Sequence, residues 1–140
     1  MDSGERVVKH LEITQGVINR LASNSFFIKG WSMTILAAAM LFIARADSSI
    51  SSYLALAFII PVCGFWVLDG YFLWQERVFR GIYNDVRQQK DTDFKMDVPK
   101  QLAKPGNKWS SATFSLTLNI FYATELVFLC AVSIILHCYS

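Results

Sequence analysis

Three ionisable side chains lie inside long apolar stretches of this sequence: Arg45, Asp69 and Glu125. A charge near the centre of a bilayer costs at least about 2.5–3.5 kcal/mol on insertion scales. Such residues therefore face other polar groups and mark ion paths, proton relays or packing contacts. We expect these three side chains to make the polar contacts on which any membrane function depends.

Arg45 and Glu125 are predicted to pair. At 1.5 Å per residue, Arg45 lies about 22 Å beyond Gly30, and Glu125 lies about 21 Å beyond Ser111. Equal depth and opposite charge predict an ion pair, either within one subunit or between neighbouring subunits. A packing contact is the favoured interpretation, and a pore-lining or gating contact is the alternative.

Asp69 is predicted to lie in a shallower cluster, about 9 Å inside a boundary at Trp74 or Gln75. Three further polar side chains lie at comparable depth or within reach of it: Thr34, Asn119 and Lys29. Such a cluster would satisfy the carboxylate and fix the register of the helices. A proton relay between Asp69 and Glu125 is the alternative, but the two depths differ by about 12 Å, which disfavours direct transfer.

The composition predicts the class of protein that carries these residues. The 140-residue chain is 54% hydrophobic and 17% charged, whereas an ordinary soluble domain has about 25% charged residues. The charges are also segregated from long apolar runs, which is typical of transmembrane helices. The net charge of +2 is too small to indicate nucleic-acid binding. We therefore predict an all-α membrane protein with no direct nucleic-acid partner.

The predicted elements form one membrane domain over residues 1–140. It has transmembrane helices over 27–45, 53–74 and 111–136, an amphipathic helix over 3–23, a cytoplasmic extension of the second span over 75–90, and a linker over 91–110. The 3–23 helix is expected to pack on another cytoplasmic helix rather than on the membrane surface. Ser23–Ser25 are expected either to break this helix or to cap the next one. Residues 46–52 read as a tight loop, and Pro61 predicts a kink near Ala57.

The stretch from Trp66 to Arg87 is predicted to be one continuous helix that leaves the bilayer. It contains no proline. Only Gly70 and Gly81 weaken it, each by about 1 kcal/mol relative to alanine.

The distribution of lysine and arginine predicts the topology, because these residues are in excess on the cytoplasmic side. Most of them flank the cytoplasmic ends of the predicted spans: Arg6, Lys9, Arg20 and Lys29 before the first, and Arg77, Arg80, Arg87, Lys90, Lys95, Lys100, Lys104 and Lys108 between the second and the third. The loop after the first span has Arg45, and the C-terminal end has none. We expect a cytoplasmic N-terminus and an external C-terminus.

No motif in the sequence indicates catalysis, a cofactor or a metal. Cys63, Cys130 and Cys138 have neither disulfide-framework nor metal-ligand spacing, so we expect them to be small buried apolar residues. No phosphate-binding glycine loop is present, and no serine or threonine stands in a nucleophile motif. The prediction is a protein that is not an enzyme and needs no cofactor.

Three stretches resemble a family of small bacterial membrane proteins: QGVINRLASNSFFIKGWSMT (Gln15–Thr34), LDGYFLWQERVFRGIYNDVR (Leu68–Arg87), and, more loosely, DFKMDV (Asp93–Val98) together with FYATELV. The layout is also similar to SLATT-type membrane modules and to the small membrane partners of bacterial nucleotide-signalling or CRISPR effectors. The third span departs from the two core spans of SLATT modules. The resemblance implies a bacterial inner-membrane effector that assembles and permeabilises or depolarises the membrane in antiphage defence.

Three functions follow as expectations. The first is a homo-oligomeric channel or membrane-perturbing effector in the lipid bilayer, because three spans are too few to enclose a conduction path alone. The second is a membrane scaffold that recruits a cytoplasmic protein partner through residues 3–23 and 75–90. The third is a proton- or ion-coupled transport subunit that uses Asp69 and Glu125.

Overall fold

The computed structural model describes residues 2–46 and 48–139. In these ranges all regular secondary structure is helical, which confirms the all-α prediction. The helices are α1 (Ser3–Ile43), α2 (Ser48–Ala57), α3 (Ile59–Val86), α4 (Val98–Leu102), α5 (Trp109–Thr113) and α6 (Leu116–Tyr139). Three helical stretches are long and apolar enough to cross a membrane: Ser3–Ile43, Ile50–Val86 and Leu116–Cys138. This is compatible with a multi-pass membrane protein.

Helix α1 runs without interruption for 41 residues. The expected break or new cap at Ser23–Ser25 is therefore wrong. Serine and asparagine in a helix interior cost at most about 0.7 kcal/mol each relative to alanine, which the long helix on either side can offset.

The second predicted span is interrupted at Phe58, between α2 and α3. Pro61 has no N–H with which to reach the carbonyl of Ala57. The bond from the Phe58 N–H to the Leu54 carbonyl is 3.2 Å, and the next, from Val62 to Phe58, lengthens to 3.5 Å. The interruption lies where the kink was predicted. Helix α2 begins at Ser48, so most of the loop expected over 46–52 is helical instead; Asp47 lies outside the described residues.

Helix α3 confirms the predicted uninterrupted helix from Trp66 as far as Val86. It ends four residues before the expected limit at residue 90, because the N–H groups of Gln88 and Gln89 bond the carbonyls three residues earlier. This tighter i→i+3 pattern is common where a helix ends.

The predicted linker and the start of the third span are less regular than expected. The linker contains α4, and the side chain of Asp97 caps this helix by accepting a hydrogen bond from the Lys100 N–H at 3.1 Å. The span expected over 111–136 is divided, because α5 ends at Thr113 and α6 begins at Leu116. The helix that carries Glu125 thus starts five residues later than predicted.

The single predicted domain divides into two compact units. Unit 1 comprises Met1–Ser25 and Gly70–Thr113, and unit 2 comprises Phe26–Asp69 and Phe114–Ser140. Of the 13 lysines and arginines in the chain, only Lys29 and Arg45 belong to unit 2. Unit 2 is therefore the apolar unit, and unit 1 carries nearly all the basic residues.

Unit 2 has a small apolar core and an apolar surface. Ala39, Ile43 and Ala55 are buried at its centre. Ser133 on α6 donates a hydrogen bond to the Ser52 carbonyl on α2 at 3.1 Å. Large apolar side chains point outward: Phe26, Leu41, Phe42, Ile60, Leu116, Val127 and Ile134. Such a surface suits contact with lipid rather than water.

The cysteines depart from the prediction of buried positions. Cys130 and Cys138 are exposed and Cys63 is only partly buried. The expectation is therefore wrong for the two cysteines of α6. In an apolar unit, an apolar residue can satisfy its preference on the outer surface as well as in the core.

Candidate functional site

A buried ion pair lies in unit 2 between α1 and α3. The Nζ of Lys29 lies 2.5 Å from Oδ2 of Asp69, whose side chain is fully buried. Tyr122 on α6 donates its hydroxyl to the same carboxylate oxygen at 3.1 Å. Hydrogen bonds to an ionised partner are shorter and stronger than neutral ones. One carboxylate therefore joins three helices.

Aromatic rings hold the tyrosine in place. Trp66 stacks on Tyr122 with 6.0 Å between ring centroids and an interplanar angle of 11°. Phe121 and Tyr122 meet edge to face at 5.0 Å, and Phe114 meets Trp66 in the same way at 5.9 Å. Contacts of this kind add about 0.5–1.5 kcal/mol each beyond the area that they bury. The rings fix the position of the Tyr122 hydroxyl beside Asp69.

A second polar contact lies one helical turn further along. Ser32 on α1 donates its hydroxyl to Oε2 of Glu125 on α6 at 2.6 Å. Glu125 is 3% exposed. Its other oxygen, Oε1, is buried and has no hydrogen-bond partner among the described residues. Glu125 is thus an acid that a hydroxyl, and not a cation, stabilises.

The two contacts form one column along the helices. Ser32 follows Lys29 by three residues on α1, and Glu125 follows Tyr122 by three residues on α6. Residues three apart share a helix face, and they differ by about 4.5 Å in height. We call Lys29, Ser32, Asp69, Tyr122 and Glu125 the polar column.

Arg45 does not belong to the polar column. It is exposed just beyond the end of α1. Within residues 2–46 and 48–139, the Glu125 carboxylate bonds Ser32 through one oxygen and has no partner at the other. Glu125 contacts Ser32 on α1. Arg45 follows Ser32 by 13 residues, which corresponds to about 20 Å along a helix. The expected pairing within one chain is wrong, because the two depths were counted from Gly30 and Ser111, and neither residue lies at the start of a helix. Pairing between neighbouring copies stays a prediction.

Of the cluster expected around Asp69, the structure brings Lys29 into place but not Thr34 or Asn119. Thr34 donates its hydroxyl to the Gly30 carbonyl of its own helix at 2.8 Å. Asn119 donates its side-chain amide to the Phe114 carbonyl at 3.2 Å, next to the gap between α5 and α6. The expected 12 Å difference in depth between the two acids is also wrong, since one helical turn separates their contacts.

Sequence reasoning missed Tyr122 and Ser32 as partners of the two acids. A signal was present, because Tyr122 precedes Glu125 by three residues and so shares its helix face. Ser32 stands in the same relation to Lys29. Comparing faces, rather than depths counted from estimated boundaries, finds both residues.

The column can hold three helices in register, because its hydrogen bonds and its ion pair join side chains of α1, α3 and α6. Within the described residues, no three His, Cys, Asp or Glu side chains are grouped so that they could hold a metal ion. What the described contacts of the polar column show is packing between helices.

The fold and the column together describe a small helical protein with three helices able to cross a membrane. Comparison with protein-family models, with curated proteins and with solved structures finds no match. The family resemblance of the sequence thus stays a prediction.

Proposed function

We propose that the chain is a homo-oligomeric protein of the bacterial inner membrane that alters membrane permeability when its copies assemble. The observation that carries the proposal is an open small-residue face on α1 within unit 2. The proposal assigns the chain no catalytic role.

This face consists of Gly30, Thr34 and Ala38, spaced four residues apart. Gly30 and Thr34 are exposed and Ala38 is partly exposed. A Cβ atom added at Gly30 would meet no other atom within 4 Å. Small residues at this spacing let the backbones of two membrane helices approach closely. A helix of a second copy fits such a face.

The permeability change follows from the number of spans. Three spans are too few to enclose a conduction path within one subunit. A path must then form between subunits, with the column keeping each subunit rigid. Intramembrane acids such as Asp69 and Glu125 are functional-site candidates by default.

The orientation is proposed from the charges. Unit 1 carries 11 of the 13 lysines and arginines, and such residues concentrate on the cytoplasmic side. This supports a cytoplasmic unit 1, with the N-terminal part of α1 and the C-terminal part of α3 in the cytoplasm, and an external C-terminus.

The test of assembly is the mass of the protein in nanodiscs, compared between Gly30→Leu and Gly64→Leu. Both glycines are exposed in unit 2, and a Cβ atom has open space at each. Gly30→Leu should reduce the oligomer to smaller species, while Gly64→Leu should not. Thr34→Leu and Thr124→Leu form a second matched pair, because each hydroxyl bonds the carbonyl four residues earlier.

The test of function is dye release or ion flux from liposomes that contain the purified protein. We expect wild type and Gly64→Leu to increase flux and Gly30→Leu to lose the increase. An oligomer that leaves liposomes as tight as empty ones under every condition would refute the permeability role while leaving assembly intact. The defence role depends on the resemblance alone, and its test is loss of membrane potential in infected cells that express the protein.

The scaffold function is the second candidate, and exposed apolar side chains in unit 1 favour it. Val8 is 55% exposed and Ile13 is 43% exposed on α1. A shallow cavity of about 380 Å³ lies beside Val8, between Glu5 and Glu12. If Val8→Ser and Ile13→Ser remove a biological effect while oligomer mass and flux stay unchanged, the scaffold function replaces the effector function.

A further inference from the structure

Unit 1 contains a polar groove that the proposed function does not use. The groove has a volume of about 330 Å³. Its walls come from α3 and from the segment around α4, and its main polar lining residues are Arg77, Arg80, Asn84, Gln101, Lys104 and Asn107. Three of these side chains are cations.

The α3 wall is a single helix face, since Arg77, Arg80 and Asn84 are spaced three and four residues apart. Glu76 Oε1 lies 2.7 Å from both Nε and Nη2 of Arg80, which fixes the plane of the guanidinium. Arg77 donates Nη1 to the Ser111 carbonyl at 3.1 Å. Both arginines are therefore held in position before any ligand binds.

The opposite wall is tied to α3 by hydrogen bonds of Lys104 and Asn107, and a further hydrogen bond holds the wall itself together. Lys104 Nζ lies 2.9 Å from Asp85 Oδ1. Asn107 donates its amide to the Gln101 carbonyl at 2.9 Å, and its own carbonyl accepts a hydrogen bond from Trp74 Nε1 at 3.0 Å. The groove is thus built by specific contacts on both sides.

The floor of the groove contains an unpaired polar atom. Gln101 is 1% exposed, and its Nε2 donates to Asp85 Oδ2 at 2.9 Å. Its Oε1 is buried and has no hydrogen-bond partner among the described residues. A buried acceptor without a partner is costly. Gly81 lies against the same atom, where a Cβ would be too close to fit.

We propose that this groove binds a phosphate-bearing anion. Guanidinium groups and side-chain amides are the donors that phosphate oxygens prefer. The acid in the lining, Asp85, already pairs with Lys100 at 3.1 Å as well as with Lys104. The phosphate belongs either to the headgroup of an anionic lipid or to a soluble compound.

The test uses the 140-residue chain in phosphatidylcholine nanodiscs and has two arms. One arm titrates inorganic pyrophosphate by calorimetry. The other adds phosphatidylglycerol to the nanodiscs and measures the lipid retained by the protein after extraction. Binding in the first arm identifies a soluble ligand, and enrichment of phosphatidylglycerol in the second identifies a lipid headgroup.

Variants distinguish binding in this groove from non-specific attraction of an anion to the basic residues of unit 1. Arg80→Gln with Lys104→Gln should weaken binding by roughly tenfold or more, because each cation near an anionic surface contributes about 1 kcal/mol. Lys9→Gln with Arg20→Gln makes the same change in charge elsewhere in unit 1 and should have little effect. Asn84→Asp, which keeps the size of an exposed side chain, should also weaken binding by adding a negative charge.

Three results would overturn the proposal. They are no binding in either arm, equal loss in the groove and control variants, and unchanged binding in Asn84→Asp. Thermal unfolding in ligand-free nanodiscs checks that each variant is folded. None of these outcomes depends on the oligomer or on its flux, so the proposed function stands or falls separately.

Discussion

Lys29 and Asp69 join α1 to α3 through a salt bridge whose acid is fully buried. Removing one partner of a buried pair costs about 3–5 kcal/mol, because the other charge is left without compensation. We therefore expect Lys29→Gln and Asp69→Asn each to destabilise the protein strongly. The double variant should lose much less than the sum of the two. Unfolding in mixed detergent micelles measures the three free energies, and additive losses would show that the pair is not coupled.

Tyr122→Phe removes a hydroxyl and keeps the ring that stacks on Trp66. Hydrogen bonds between membrane helices contribute about 0.6 kcal/mol on average and up to about 1.7 kcal/mol. We expect a loss in this range, close to the upper limit because the acceptor is a carboxylate. Tyr122→Leu should lose considerably more, since it also removes the aromatic contacts. Equal losses for the two variants would mean that the hydroxyl, and not the ring, supplies the stability.

Glu125→Gln keeps an oxygen that can accept a hydrogen bond from the Ser32 hydroxyl. We expect the free energy of unfolding to change by less than about 1 kcal/mol, within the range of one net hydrogen bond. If Glu125 takes part in the proposed permeability, flux through liposomes should change even though stability does not. Ser32→Ala is the matched change on the other side of the contact. Unchanged flux in both variants would assign the contact to packing alone.

Gly70 and Gly64 both lie on α3. Replacing each with alanine should have opposite effects on the stability of the protein. A Cβ on Gly70 would clash with Thr113, at 2.9 Å from its Cα atom. Backbone cannot move aside as a flexible side chain can, so Gly70→Ala should destabilise the protein. At Gly64 there is open space, and alanine should stabilise the helix by up to about 1 kcal/mol. Thermal unfolding of the two variants measures both effects. A Gly70→Ala variant as stable as wild type would contradict the close approach of Gly70 to Thr113.

Because of Asp85, the stability of unit 1 should fall at acid pH. Hydrogen bonds from Lys104 and then Lys100 lower the pKa of its carboxyl below the ordinary value of 3.8. A lowered folded-state pKa gives stability that is present above the ordinary value and is lost as the pH falls through the folded value. Wild type should therefore exceed Asp85→Asn in stability at neutral pH, and the difference should shrink below pH 3.8. A difference that does not depend on pH would assign the effect to the hydrogen bond with Gln101 instead.

The helices were predictable because their signals are local. Apolar runs of sufficient length mark the three spans, and Pro61 marks the interruption before α3. The gap at Phe114 and Ser115 carries no proline or glycine, so nothing nearby in the sequence predicts it. That gap accounts for five residues, or about 7.5 Å, of the error in the depth of Glu125. The rest arises because Gly30 lies inside α1 and marks no helix boundary. Contacts between helices depend on register, and an error of five residues at one helix start changes every pairing along it.

The ion pair also constrains how the chain is made. Lys29 and Asp69 are 40 residues apart in sequence, so Lys29 leaves the ribosome well before the acid that neutralises it. In a bilayer, each helix alone would carry an uncompensated charge, whose insertion is costly. Entry of α1 and α3 together, as a hairpin with the pair already formed, avoids both penalties. In the proposed membrane protein, the salt bridge thus favours release of the first two spans into the lipid as one unit, with α6 joining them afterwards.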